Sequence, residues 1–207
     1  GMNKTGLADY VRAARERIGS LPGVKRACVA GAMPLEYLAG WHREVTVSES
    51  AAGMPARKHR VACNPADPEV LRIIGCTLLR GRGFEPSDTD ASERVAVISR
   101  AAAGQFWPGE DPLGRQVRFG GDDTTYVRVV GMVEDGPYNL YDSAHRPYLF
   151  VPVEQTQMTT LSLLVETSVP AASMLKVVGE ELRRLDDRVR PVSLQTLHQR
   201  LASSYAM

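Results

Sequence analysis

The apolar residues near the start of the chain recur at the spacing of a helix. A stripe along one helical face is formed by Leu7, Tyr10, Val11, Ala14 and Ile18. Residues 21–23 end this helix, because the proline cannot continue it and the glycine lets the chain reverse. The pattern therefore predicts a first helix over residues 7–18 and a buried strand over residues 24–32.

The middle of the chain consists of short apolar runs separated by Gly, Pro, Asn and Asp. These runs predict strands at residues 44–48, 58–63, 77–79, 95–98, 116–119, 126–133 and 148–151. Two short helices interrupt the strands. Asp67 begins the first, which Gly75 ends, and Ser99 begins the second, which ends at residues 106–108.

The last third of the chain returns to longer elements. Strands are predicted at residues 161–166 and 189–194. Between them, a helix over residues 170–185 has an apolar stripe formed by Leu175, Val178, Leu182 and Leu185. Thr196 and Gln199 have the spacing of a capping box and predict a final helix over residues 197–204.

These elements predict an α+β fold in which both ends of the chain share one domain. Residues 1–63 and 158–207 alternate helices with strands, whereas residues 64–157 are richer in strands and turns. We therefore expect residues 64–157 to form a second domain inserted into a discontinuous first one. Such an arrangement brings the two ends of the chain close together.

The composition is that of an ordinary globular protein. Hydrophobic residues make up 43% and charged residues 24%, with a formal net charge of +1, which argues against disorder and gives no basic excess for nucleic acid. No apolar run approaches the ~20 residues of a membrane helix, and no signal peptide is visible. The Gly before Met2 is typical of a cloning remnant, so we expect a piece of a longer protein.

Motifs of catalytic, metal-binding or phosphate-binding sites are missing from the sequence. It contains no nucleophile elbow, Walker loop, dinucleotide fingerprint or zinc spacing, and its four histidines are scattered. Cys28, Cys63 and Cys76 have no CxxC spacing, although a bridge between Cys28 and Cys63 remains open. We therefore expect no enzymatic activity, no cofactor and no metal.

Three weaker signals have ordinary structural explanations. The Gly-Arg sequence at residues 79–84 suits a phosphate loop, an RGG-like RNA contact or, more simply, a tight turn. The acidic residues of segment 88–93 suit calcium or a solvated loop, and the loop is favoured because the EF-hand order is missing. Glu110 and Asp111 form a candidate acid–base pair, but adjacent turn residues usually point apart.

One segment, residues 33–43, is a candidate contact loop. It carries Tyr37, Leu38 and Trp41, which are costly to expose unless they contact another molecule. The alternative is that Trp41 folds back onto its own domain. These three residues are the candidate binding site of the sequence.

Several segments resemble a known family. Their positions are residues 68–71, 75–84, 95–99, 106–114, 129–135 and 147–155. Together they resemble the MacB-like periplasmic core domain over nearly the whole chain, and residues 106–114 (FWPGEDPLG) are the most specific match. The chain is also similar to the duplicated orphan permeases of the MacB/FtsX type. It departs from the family pattern at Cys76 and Thr77, and at Val70 and Leu71.

The resemblance implies an extracytoplasmic, periplasmic domain of an ABC-type permease at the inner membrane. It implies a porter-like β-α-β subdomain from both chain ends, an inserted β-rich sabre-like subdomain, and a first strand, next to a membrane span, that is missing here. Such a domain is non-catalytic and couples transmembrane helix motion to export. The implied partners are the parent chain's transmembrane helices, a cytoplasmic ATP-binding subunit acting indirectly, a periplasmic protein or exported substrate, and a second permease copy, but not nucleic acid.

Two alternatives remain from the sequence. The first is a ligand- or peptide-sensing module of a similar permease, which binds through Tyr37 and Trp41. The second is an unrelated α+β enzyme whose site forms from residues that are distant in the chain, and the missing motifs argue against it.

Overall fold

The computed structural model describes residues 4–31, 41–47, 57–120, 125–136, 146–156, 161–186 and 191–205. Backbone contacts divide the chain into two units: unit 1 contains Gly1–Val29 and Thr159–Met207, and unit 2 contains Ala30–Met158. Residues 30–63, which the sequence grouped with the chain ends, therefore fall in unit 2. The reason is that their strands pair with strands of the middle segment.

The helices and strands follow one another in a mixed order. They are α1 (Lys4–Gly19), β1 (Val24–Ala30), β2 (Trp41–Val47), β3 (Arg57–Ala66), α2 (Val70–Ile73), β4 (Leu78–Gly81), β5 (Val95–Ser99), α3 (Arg100–Phe106), β6 (Gln116–Phe119), β7 (Tyr126–Val133), β8 (Tyr148–Pro152), β9 (Ser162–Thr167), α4 (Ala171–Leu185) and α5 (Leu197–Tyr205). This mixture confirms the predicted α+β class. The bounds of β6 and β7 are those predicted from the sequence.

In unit 1, α1 packs against α4. The buried contact is formed by Ala14, Ile18, Met174, Val178 and Leu182. Strands β1 and β9 are neighbours, and apolar residues of both strands pack against the same cluster. The hydroxyl of Tyr10 donates a hydrogen bond of 3.2 Å to the carbonyl of Leu182. Full burial of an isoleucine such as Ile18 contributes about 1.5–3 kcal/mol, so this helix pair is the main apolar contact of unit 1.

The strand predicted at residues 189–194 is wrong over its described part, because residues 191–196 form no strand. Val192 is fully exposed. Leu194 instead packs on α4, where its Cδ2 lies 2.9 Å from the position of a Cβ on Gly179. The capping box is confirmed: the Thr196 hydroxyl accepts from the Gln199 N–H at 3.1 Å, and the Gln199 side chain accepts from the Thr196 N–H at 2.8 Å.

The strands of unit 2 form a closed ring. Their order is β2-β6-β7-β5-β8-β3, and β3 pairs again with β2, while β4 adds to β7. Pairs β7–β5 and β8–β3 are parallel and the other pairs of the ring are antiparallel. Closure satisfies the backbone groups of the strands without leaving a long open edge in the ring.

Alternate residues of the ring strands share one apolar core. Strand residues of this core are Val45, Val47, Val61, Cys63, Ala96, Ile98, Val117, Val127, Val129, Leu149 and Val151. Helix α3 adds Phe106, and Trp107 follows it into the same core. Ser99 begins α3 as predicted, because its hydroxyl accepts from the N–H of Ala102 at 3.2 Å. The two-residue period therefore directs one face of each strand to this core. The other face is exposed or half-buried in β6 and β7, but in β5 and β8 it is buried as well.

Two glycines let β4 approach β7 closely. Gly81 lies opposite Gly131 in the antiparallel register. A Cβ on Gly131 would lie 2.1 Å from the carbonyl oxygen of Arg82, and Gly81 has a positive φ of 72°. Neither position has space for a side chain.

Replacing Gly131 with alanine is expected to destabilise the protein by about 2 kcal/mol or more, since backbone must move to relieve the clash. The matched control is Gly104→Ala in α3, where a Cβ meets nothing within 4 Å. At that position alanine is expected to raise the free energy of unfolding by about 0.5–1 kcal/mol, because glycine is the poorer helix former. Urea unfolding measures both values, and an equal effect of the two substitutions would contradict the close approach.

Candidate functional site

The contact loop predicted from the sequence is described only at its end. Tyr37 and Leu38 lie outside the described residues. Trp41 is the first residue of β2, where it lies opposite Cys63; its side chain also lies outside the description. The predicted loop is therefore too long, because residues 41–43 pair with β3 as a strand. The role of these three residues in binding stays a prediction.

The residue after Trp41 opens onto a pocket. His42 lines a pocket of about 320 Å³ together with Arg60, Ala62, Arg146 and Pro147. The N–H of Ala62 donates to the carbonyl of Pro147 at 3.3 Å, which places the start of β8 beside β3. Ala62 is a small, buried residue, whereas His42, Arg60 and Arg146 are exposed. The pocket thus has a small apolar floor and a basic rim.

The pocket continues into a basic surface on the outer side of β2, β3 and β6. Core residues Val45, Val61 and Val117 point inward, so their strand neighbours point outward. We call the outward side chains of His42, Lys58, Arg60, Arg118 and Arg146 the basic face. Thr46 lies between Lys58 and Arg118 in the two registers.

The basic face has little internal neutralisation. Glu44 is the acidic residue in the described strands β2, β3 and β6, and its carboxylate lies 2.7 Å from Nζ of Lys58. In the described ranges, His42, Arg60 and Arg118 have no ion pair or side-chain hydrogen bond. Unit 2 as a whole contains more acidic than basic side chains. The positive charge is therefore a local feature of this face.

The other charged motifs pair within the protein. Arg82 donates to both carboxylate oxygens of Asp88, at 2.8 and 3.0 Å, and the N–H of Glu85 donates to the same carboxylate at 2.8 Å. Arg80 pairs with Asp111 at 2.8 Å. The Gly-Arg sequence does not form the tight turn favoured from the sequence. Residues 79–81 belong to β4, residues 82–84 follow without helix or strand, and both arginines bind carboxylates of the same chain.

The candidate acid–base pair is divided in the same way. The Glu110 carboxylate accepts from Arg115, whereas Asp111 pairs with Arg80. In the described ranges, no group of three or more His, Cys, Asp or Glu residues is placed to hold a metal ion. Burial raises the pKa of the Cys63 thiol to about 12, although the charge of Arg43 acts to lower it. Cys63 is therefore unsuited to act as a thiolate nucleophile at neutral pH.

The buried amide of Gln155 connects the acidic segment to β5. Its oxygen accepts from the N–H of Val95 at 3.0 Å, and its nitrogen donates to the carbonyls of Thr89 and Glu93, each at 2.9 Å. Arg94 also donates to the Gln155 carbonyl. The segment that resembled a calcium loop is thus held by amide and backbone hydrogen bonds.

Sequence reasoning missed the basic face. Lys58 and Arg60 were visible as alternate cations in a predicted strand, which is a signal for a charged outer face. The contributions of Arg118 and Arg146 were not visible, because they depend on which strands are neighbours of β3 and β2.

Comparison with known proteins identifies the family. The family described as MacB-like periplasmic core domain matches residues 7–184. The chain belongs to this family. No curated protein matches the chain. None of the helices in the described ranges has the length and hydropathy of a transmembrane span.

Three solved structures share the fold. The periplasmic region of MacB from Actinobacillus actinomycetemcomitans has a TM-score of 0.66 at 15% identity, over 95% of this chain and 83% of that one. The extracellular domain of the noncanonic ABC-type transporter YknZ from Gram-positive bacteria has a TM-score of 0.58 at 20% identity, over 86% of this chain and 83% of that one. A domain of a putative permease from Porphyromonas gingivalis has a TM-score of 0.58 at 18% identity, over 92% of this chain and 87% of that one. The chain is thus a MacB-like periplasmic domain with the fold of these transporter domains.

The ion pair of buried Asp88 with half-buried Arg82 is expected to make stability depend on pH in acid. Burial alone would raise the pKa of Asp88, but the hydrogen bonds from Arg82 and the Glu85 N–H, with the Arg82 charge, lower it overall. The resulting stabilisation is complete above the ordinary carboxyl pKa of about 3.9 and is lost as the pH falls through the lowered value.

Asp88→Asn is therefore expected to lower the free energy of unfolding by about 1–3 kcal/mol at neutral pH. This difference from the wild type should become smaller below about pH 4. The control is Asp111→Asn, whose ion pair with Arg80 is half-exposed and should contribute less than about 1 kcal/mol. Urea unfolding across pH measures both, and a constant difference for Asp88→Asn down to strong acid would contradict the lowered pKa.

Proposed function

We propose that the chain is a non-catalytic domain of an ABC-type permease that transmits transmembrane helix motion to export, or to substrate and partner handling, outside the membrane. Family membership and the similarity to domains of known transporters support the permease setting. In this proposal the domain lies on the periplasmic side of the cell membrane, and a cytoplasmic ATP-binding subunit acts on it through the parent chain's transmembrane helices. In this proposal the porter-like part comes from both chain ends and the sabre-like part is inserted between them, and the division of backbone contacts into units 1 and 2 supports it.

The packing of α1 against α4 carries the proposal. These helices come from opposite ends of the sequence, and Arg17 donates to Glu181, 164 positions away, at 2.6 Å. That hydrogen bond, followed by the charges of Arg17 and Arg184, lowers the pKa of Glu181 and keeps its carboxylate ionised, although burial opposes this. Because packed interiors have low compressibility, a displacement of α1 is passed to α4 rather than absorbed.

Loosening this helix pair should uncouple the domain in the complete permease assembled with its ATP-binding subunit. An environment-sensitive fluorophore on Lys176→Cys, on the exposed side of α4, reports movement of the domain when ATP is added. Ile18→Ala leaves a cavity between the helices, which is expected to lower the free energy of unfolding by about 2–5 kcal/mol. We expect it to reduce the ATP-dependent fluorescence change while ATP hydrolysis continues.

The control is Val70→Ala, which removes a fully buried side chain from unit 2 without altering the α1–α4 contact. It should retain the ATP-dependent signal. A wild-type probe that does not respond to ATP, or an equal loss in both variants, would contradict the proposal.

A sensing role is the second candidate function. It is favoured by the pocket that His42 of β2 lines. In this role Tyr37, Leu38 and Trp41 contact a peptide or another ligand. Trp41→Ala would then weaken ligand binding with an unchanged melting temperature, and unchanged binding would count against it.

A further inference from the structure

We infer that the basic face binds an extended acidic segment of a partner polypeptide, with one of its carboxylates in the pocket between Arg60 and Arg146. This inference concerns binding by unit 2 and does not depend on the coupling role proposed above. It is carried by the charge, the spacing and the pocket of the described residues.

The charge of the face is available to a partner. Arg60 and Arg118 have no carboxylate partner in the described part of the chain, and the carboxylate of Glu44 is directed to Lys58 instead. The planar guanidinium group presents a fork of donors that matches a carboxylate in two parallel hydrogen bonds. Elsewhere in unit 2, Arg80, Arg82 and Arg115 already use such donors on carboxylates of the same chain. Arg60 and Arg118 differ from these arginines, because neither has such a carboxylate among the described residues.

The spacing of the cations fits an extended chain. Lys58 and Arg60 are successive outward residues of β3, and the next outward residue, Ala62, is the floor of the pocket. Outward positions of a strand repeat at about 6.6 Å, which is also the repeat of alternate side chains in any extended polypeptide. A segment with acidic residues at alternate positions therefore places one carboxylate beside Arg60 and the next at the pocket, while Lys58 stays paired with Glu44.

The pocket adds a specific position to this charged surface. Its volume of about 320 Å³ is at the small end of ligand pockets, which suits one acidic side chain with its hydration rather than a large ligand. Because Ala62 forms the floor, a larger residue there fills the pocket without changing any charge. Ala62→Met is therefore a test of the pocket that is independent of the arginines.

The probe is a fluorescent, end-blocked peptide of about ten residues with Glu and Thr alternating. Its control replaces every Glu with Gln. Binding to the 207-residue chain is measured by anisotropy at about 50 mM and about 500 mM NaCl, because screening weakens exposed ion pairs. The protein variants are Arg60→Gln, Ala62→Met and Arg72→Gln, the last an arginine on α2 whose side chain is 71% exposed.

We expect the Glu peptide to bind at least about tenfold more tightly than the Gln peptide, and Arg60→Gln to lower its affinity about tenfold, equivalent to ~1.4 kcal/mol. Ala62→Met should also weaken binding, whereas Arg72→Gln should not. Equal losses for Arg60→Gln and Arg72→Gln would show non-specific charge attraction and overturn the inference.

A membrane surface is the competing explanation for a basic face. Vesicles of phosphatidylcholine with phosphatidylglycerol are therefore tested by co-sedimentation with the same variants. Vesicle binding that Arg60→Gln abolishes, with no binding of the Glu peptide, would overturn the polypeptide assignment in favour of lipid phosphates. None of these results bears on the ATP-dependent movement of α4, so the two proposals fail separately.

Discussion

The pairing of β2 with β3 is the interaction on which unit 2 depends. Their register runs without a break from Trp41 opposite Cys63 to Val47 opposite Arg57, and it closes the ring of strands. Closure decides which face of each strand is the core, because a shift by one residue would move every core side chain to the outside. It thereby also decides that Arg60 and Lys58 face outward while Val61 is buried. Core and basic face are two results of one register.

Unit 2 uses buried polar groups to attach its irregular segments to this ring. Asp88 holds Arg82 beside the glycine pair of β4 and β7, and Gln155 holds the acidic segment to β5. In both cases a buried side chain satisfies several donors or acceptors at once, which makes it costly to replace with a residue that leaves them unpaired. The Gly-, Pro- and Asp-rich composition of this region therefore reflects structure as much as function.

Local signals were sufficient for most elements but not for their assembly. The Ser99 cap, the Thr196–Gln199 capping box and the bounds of β6 and β7 depend on residues a few positions apart, and they were predictable for that reason. The strand predicted at residues 189–194 was wrong because Leu194 packs on Gly179 of α4 while Val192 is exposed, so these two residues do not share the buried face of a strand. The grouping of residues 30–63 with the middle of the chain depends on β2 meeting β6 and β3 meeting β8, pairings that no local pattern encodes.

Similarity to other proteins gives information about the inward residues of the strands but not about the outward ones. At 15–20% identity, similar transporter domains establish a fold, and a fold is maintained by inward residues such as Val61, for which many apolar substitutes exist. Outward residues such as Arg60 contribute little to that fold, so their retention or loss is decided by what the domain touches. In the coupling role proposed above, transmission of motion requires only that α1 and α4 stay packed, whereas the proposed recognition of a partner requires particular charges at particular strand positions. Under both proposals, the packing of α1 against α4 can be kept while the outer face changes its partner. Arg60 and Arg118, which have no ion pair among the described residues, are the positions of this chain at which such a change would be found.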